Sequence, residues 1–162
     1  MASERPAQAP TVVSDPVRPR GERAVLIAMA VALLLTVAYW VIWYGVDRDL
    51  LASSHAAAYY AFENAFPLAD GWLVLALLLG IVNLARRRPA VVLWTLLAGG
   101  AGIYLGCMDV LFDLENGIYT SHPGADASAS LIEIAINIIT FTFGIAIIAW
   151  VWRHRAAYLA TR

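Results

Sequence analysis

The chain has 162 residues, of which 61% are hydrophobic and only 14% charged. An ordinary soluble domain is roughly 45–50% apolar, so this composition, with a mean hydropathy of +0.69, excludes a water-soluble domain of this size and makes a bilayer the default solvent. The formal net charge of −1 gives no pointer to nucleic acid, and the lone cysteine, Cys107, excludes an internal disulfide and paired-thiol redox chemistry.

Residues 1–22 carry Pro6, Pro10, Pro16 and Pro19 among scattered charges and have no apolar period, which predicts a disordered cytoplasmic tail. The apolar run that follows is too long for the core of a signal peptide and lacks a small-residue cleavage site. Residues 24–45 contain no charge, and a helix of that length spans about 33 Å, enough for the hydrocarbon core. Tyr39, Trp40, Trp43 and Tyr44 close it as an interfacial aromatic belt would.

Asp47, Arg48 and Asp49 mark emergence into water, and Ser53 and Ser54 precede a short segment, His55 to Ala65, rich in Tyr and Phe. It is too short to span, which predicts an interfacial helix or re-entrant turn outside the cytoplasm. Pro67 suits the first turn of a second span over 67–86, because its missing N–H costs nothing there. Arg86, Arg87, Arg88 and Pro89 end that span.

A third span covers 90–112. Its helix is expected to continue to Asn116, with Gly117 as the stop. Residues 118–130 read as a turn-rich loop holding His122 and Asp126, and 131–152 as the fourth span, opened by Ser130. Residues 156–162 form a second cytoplasmic tail. The fold class is therefore all-α: a polytopic membrane protein whose residues 23–155 form one bundle of four transmembrane helices, with a short extracytoplasmic helix between the first and second.

Four spans put both ends of the chain on one side. If that side is the cytoplasm, every basic residue except Arg48 lies inside, whereas Glu4, Asp15 and Glu22 are the only acids there. The positive-inside rule counts basic residues in short loops and so selects this orientation in a cell membrane. Every basic residue is Arg, which reflects composition rather than chemistry.

On the third helix Gly102, Gly106, Asp109, Asp113 and Asn116 share one face, because each residue turns the chain by about 100°. The glycines allow close helix approach. On the fourth, Glu133, Asn137, Thr140 and Gly144 form a second stripe, and Glu63 and Asp70 fall near the start of the second span. Polar side chains in membrane helices turn to the bundle interior, so three helices aim carboxylates or amides at one outer vestibule.

Plainer accounts stand beside this one. Ser130-x-x-Glu133 matches a capping box, which by itself accounts for Glu133. Asp70 suits the positive end of a helix dipole, and Asn137 with Thr140 suits interhelical hydrogen bonding. Glu63, Asn64, Glu115 and Asp126 read equally well as solvated loop groups.

Asp109 and Asp113 resist such accounts. They lie one turn apart near a helix C-terminus, where the dipole and mutual repulsion both oppose them. Protonation of one carboxylate, hydrogen bonds from Asn137, Tyr119 or backbone N–H groups, or a bound cation would each compensate. No cofactor is evident. The oxygen-rich set admits a divalent cation, but no spacing matches a metal signature, so the metal ligands stay unassigned.

The sequence thus predicts an outward-facing acidic pocket of Asp109, Asp113, Asn116, Glu133, Asn137, Glu63 and Asp70 that binds a cation or small amphiphilic ligand, packed through Gly102, Gly106 and Gly144. The alternatives are a lipid-acting membrane enzyme with paired carboxylates as acid and base, and an accessory subunit docking a membrane partner or a second copy of itself. Besides such a partner, the lipid bilayer is the one partner the composition demands. A channel or carrier lacks a polar path, since the inner halves of the first, third and fourth spans are almost wholly apolar.

Overall fold

The computed structural model describes residues 18–119 and 127–160. The expected disordered tail up to residue 17, most of the expected loop (120–126, with His122 and Asp126) and residues 161–162 lie outside the described residues. The order is α1 (Glu22–Gly45), a single 3₁₀ turn (Arg48–Leu50), α2 (Ala57–Glu63), α3 (Pro67–Ala85), α4 (Ala90–Glu115) and α5 (Ala127–Leu159). Four helical stretches are long and apolar enough to cross a membrane, and no strand occurs among the described residues.

The ends of α3 and α4 follow one rule. In α4 the N–H of Ile118 reaches the Asp113 carbonyl at 2.9 Å and that of Gly117 reaches Leu114, the paired bonds of a Schellman stop. Gly117 has φ 68, the left-handed conformation that glycine adopts without a Cβ penalty. In α3 the same pair of bonds runs from Arg88 to Asn83 and from Arg87 to Leu84. Here a non-glycine residue, Arg87, takes φ 50.

The start of α5 differs from expectation. The helix begins at Ala127, so Ser130 lies inside it and is not its N-cap. The alanines before Leu131 are the best helix formers and extend the first turn. The other end also runs past the expected limit, to Leu159, because Tyr158 is buried against Leu84 and Val91. The segment expected as a tail from 156 is thus largely helix.

Helix α4 packs against both α3 and α5, and α1 packs on α3. The α4–α5 crossing is closest at Gly99 and Gly144. A Cβ on Gly99 would sit 2.9 Å from the Gly144 carbonyl oxygen, and one on Gly144 would sit 2.9 Å from that of Gly99. Gly106 meets the ring of Phe141, with its virtual Cβ 3.2 Å away. Gly102 is buried, but a Cβ there would meet nothing within 4 Å. Gly99 thus makes the close approach that the helix face through Gly102 suggests.

The start of α1, the α3–α4 turn and the end of α5 meet at one pole. Arg87 pairs with Glu22 at 3.3 Å, the Tyr158 hydroxyl donates to Glu22, and the Trp150 indole donates to the Arg20 carbonyl. Arg86, Arg88, Arg153 and Arg155 belong to the same pole, and the acidic residues of α2 to α5 belong to the other.

Candidate functional site

The far pole is built from aromatic donors on α1 and polar acceptors on the next two helices. Tyr39 donates to Glu63 at 2.8 Å, and Trp40 donates to Asp70 at 2.9 Å. Trp43 and Tyr44 both donate to the side-chain oxygen of Asn64, at 3.2 and 3.3 Å. Trp43 is buried and Tyr39 and Trp40 are half-buried, whereas Tyr44 is exposed, so most of this face of α1 is turned to protein. A polar group without a partner is costly where water is excluded, and Tyr39 and Trp40 satisfy two half-buried carboxylates, Glu63 and Asp70, while Asn64 stays exposed.

The short α2 is held between this aromatic face and α4. The rings of Phe62 and Phe112 stack with centroids 3.9 Å apart, and Tyr59 is buried beside Phe112. This contact brings Glu63 towards the acidic end of α4. Arg48, the one basic residue at this pole among the described residues, lies over the ring of Tyr60, 4.3 Å from its centroid.

The acidic residues differ in how they are placed. Asp113 and Asn137 are both buried, each 4% exposed, and the Asn137 amide donates to Asp113 at 3.2 Å. Its second amide hydrogen goes to the Tyr119 hydroxyl at 2.8 Å. Tyr119 also neighbours Asp113. Burial and then that carboxylate raise the Tyr119 phenol above its ordinary value, because both disfavour the phenolate.

Asp109 is half-buried and lies in the electrostatic field of Glu63, Glu133, Asp113 and Asp70. Glu133 is half-buried beside Ser53 and Tyr59. Asn116 does not join this group. It is exposed, and its amide folds back onto the Phe112 carbonyl at 2.8 Å. Five of the expected residues (Glu63, Asp70, Asp109, Asp113 and Glu133) therefore share one electrostatic neighbourhood, with Asn137 bound to it.

Among the described residues no group of three or more His, Cys, Asp or Glu side chains is arranged to hold a metal ion.

Beside this cluster a cavity of ≈ 390 Å³ runs between α4 and α5, lined by Val110, Tyr119, Ile134, Asn137, Ile138, Phe141 and Thr142. The Asn137 side-chain oxygen is buried with no hydrogen-bond partner. A larger groove of ≈ 740 Å³ between α3 and α4 is mainly apolar, with Leu68, Trp72, Leu97 and Tyr104 among its walls.

Sequence reasoning missed the donors on α1. The signal lay in their spacing: positions 39, 40, 43 and 44 fall on one side of a helix, whereas a belt that only meets lipid has no reason to choose a side. Compared with known protein families, curated proteins and solved structures, the chain matches none.

Proposed function

We propose that this multi-pass protein sits in the cell membrane with its arginine-rich pole in the cytoplasm and its acidic pole outside, and that the acidic pole binds a cation or small amphiphilic ligand. The observation that carries this is the neighbourhood of Asp109. Four further carboxylates, Glu63, Glu133, Asp113 and Asp70, act on it. Charges held out of water need a counter-charge or a proton. Repulsion among carboxylates on separate helices would also loosen the bundle unless a positive ligand offset it.

The aromatic cover fits the same ligand class. Ring faces attract ammonium-type cations when water is excluded; Tyr39 and Trp40 stand beside the carboxylates they bind, and Trp43 and Tyr44 beside the Asn64 amide oxygen. Without a set of three metal-ligating side chains among the described residues, a monovalent or organic cation suits the pole better than a chelated divalent one.

The test is a thermal-shift series on detergent-purified protein against pH, divalent cations and organic ammonium ions, run beside Asp109→Asn/Asp113→Asn. A cation or low pH should stabilise the wild type, and the double variant should lose that response. Equal responses from the two proteins overturn the reading. Orientation is checked by single cysteines in a Cys107→Ser background. Ser54→Cys should react with an impermeant maleimide on intact cells and Ala156→Cys should not; the reverse pattern inverts the topology.

A further inference from the structure

The cavity between α4 and α5 differs from the mainly apolar α3–α4 groove in carrying a buried amide. Both amide hydrogens of Asn137 are used, one on Asp113 and one on Tyr119. Its oxygen has no partner although the residue is only 4% exposed. Rotating the amide would not help, since that would turn the oxygen onto the Asp113 carboxylate. The unfilled capacity of this site is therefore one hydrogen-bond acceptor, held next to the buried carboxyl group of Asp113.

The remaining walls are chiefly apolar: Val110, Ile134, Ile138 and Phe141. Ile138 is 61% exposed and Thr142 is exposed, so the cavity opens sideways between the helices, towards lipid in a membrane-inserted bundle. A volume of ≈ 390 Å³ falls within the range of small-molecule pockets, roughly 300–1,000 Å³. The opening admits a molecule already dissolved in the bilayer, with an apolar body along the helices and a polar head at Asn137.

We propose that this cavity binds an alkylammonium amphiphile, its N–H donating to the Asn137 side-chain oxygen and its charge offsetting Asp113, with its hydrocarbon body against Val110, Ile134, Ile138 and Phe141. A neutral alcohol supplies a donor for the oxygen but leaves the Asp113 charge as it was. A small ammonium ion supplies the charge but leaves the apolar walls uncovered. Only the combination answers all three features. The proposal rests on the acidic-pole reading for its preference for a cation, and it adds the place and shape of the ligand.

The experiment measures binding of decylammonium to full-length protein in lipid nanodiscs by thermal shift, beside decanol and methylammonium. Asn137→Ala removes the acceptor, but it also strips Asp113 of a donor and risks misfolding. Ile138→Trp instead fills the cavity from an exposed position.

Decylammonium should stabilise the wild type saturably, decanol and methylammonium should bind at least about tenfold more weakly, and Ile138→Trp should abolish the response. Equal responses of the wild type and Ile138→Trp overturn the cavity assignment. If Asp109→Asn/Asp113→Asn still loses its response in that case, the acidic-pole reading survives alone; if it does not, both fall. Decanol binding as tightly as decylammonium overturns the ammonium specificity.

Discussion

Trp40 on α1 donates its indole N–H to a carboxylate oxygen of Asp70, on the first turn of α3, at 2.9 Å. Neither residue is fully buried, but both sit where the two helices meet. The bond converts a residue suited to a helix dipole and a residue suited to a membrane interface into one interhelical contact. Trp40→Phe keeps the ring area and removes the donor. Leaving a half-buried carboxylate short of a partner should cost about 1–3 kcal/mol. Asp70→Leu in the same background should recover much of the loss, because both polar partners are then gone. Denaturant unfolding of the purified protein in detergent measures both; equal stability of wild type and Trp40→Phe would show that the bond is inert.

The glycines separate close approach from mere burial. At Gly99 and Gly144 a methyl group would press on the opposite backbone at 2.9 Å. Backbone cannot move aside as a flexible side chain can, so Gly99→Ala and Gly144→Ala should each push α4 and α5 apart and lower the unfolding midpoint clearly. Gly102→Ala meets open space and should be neutral or stabilising, since alanine is favoured over glycine in a helix by roughly 0.5–1 kcal/mol. The opposite ranking in a thermal-shift series would place the helix crossing elsewhere.

Much of this architecture was legible in the chain, and the reason differs by element. The spans are set by hydropathy over windows longer than any local exception, so 67–86 as expected and Pro67–Ala85 as found differ by one residue. The α4 stop was readable because Gly117 is the residue type a left-handed C′ position demands. The start of α5 was misread because Ser130-x-x-Glu133 imitates a cap, and only the backbone upstream decides whether a cap is needed.

Face periodicity put Asp113 and Asn137 on inward stripes, and they meet. It put Asn116 on the same stripe, but a side chain at the last turn reaches its own helix carbonyl more easily than a neighbouring helix. The pairing of Tyr39 with Glu63 and of Trp40 with Asp70 depends on which helix lies beside α1, and periodicity within one helix carries no such information.

Arg87 tests a backbone strain against an ion pair. Its φ of 50 is a conformation that costs a non-glycine residue roughly 1–2 kcal/mol. Its side chain is 30% exposed and pairs with Glu22, which is 11% exposed. Arg87→Ala keeps the strain and loses the pair; Arg87→Gly loses both. Arg87→Gly should therefore be the more stable of the two by about 1 kcal/mol. Equal unfolding midpoints for the two variants would mean that the turn relaxes out of the left-handed region when the pair is removed.

Tyr119 links the described end of the α4 turn to the buried Asp113–Asn137 pair. Tyr119→Phe takes the acceptor from one Asn137 amide hydrogen and should cost about 1 kcal/mol near neutral pH. The alkaline side adds a sharper test. The folded phenol titrates above its ordinary value of 10.0, through burial first and Asp113 second. Below that value both folded and unfolded phenols are neutral, so the residue adds no pH dependence. As pH rises through it, the unfolded chain ionises first and gains free energy that the folded chain does not, so stability falls. The wild type should lose more stability than Tyr119→Phe between about pH 9 and pH 11, read as the difference in unfolding midpoint at each pH. Other tyrosines contribute equally to both proteins and cancel in that difference. Parallel curves for the two proteins would show that Tyr119 is as free to ionise folded as unfolded, and that it does not belong to the Asp113 network.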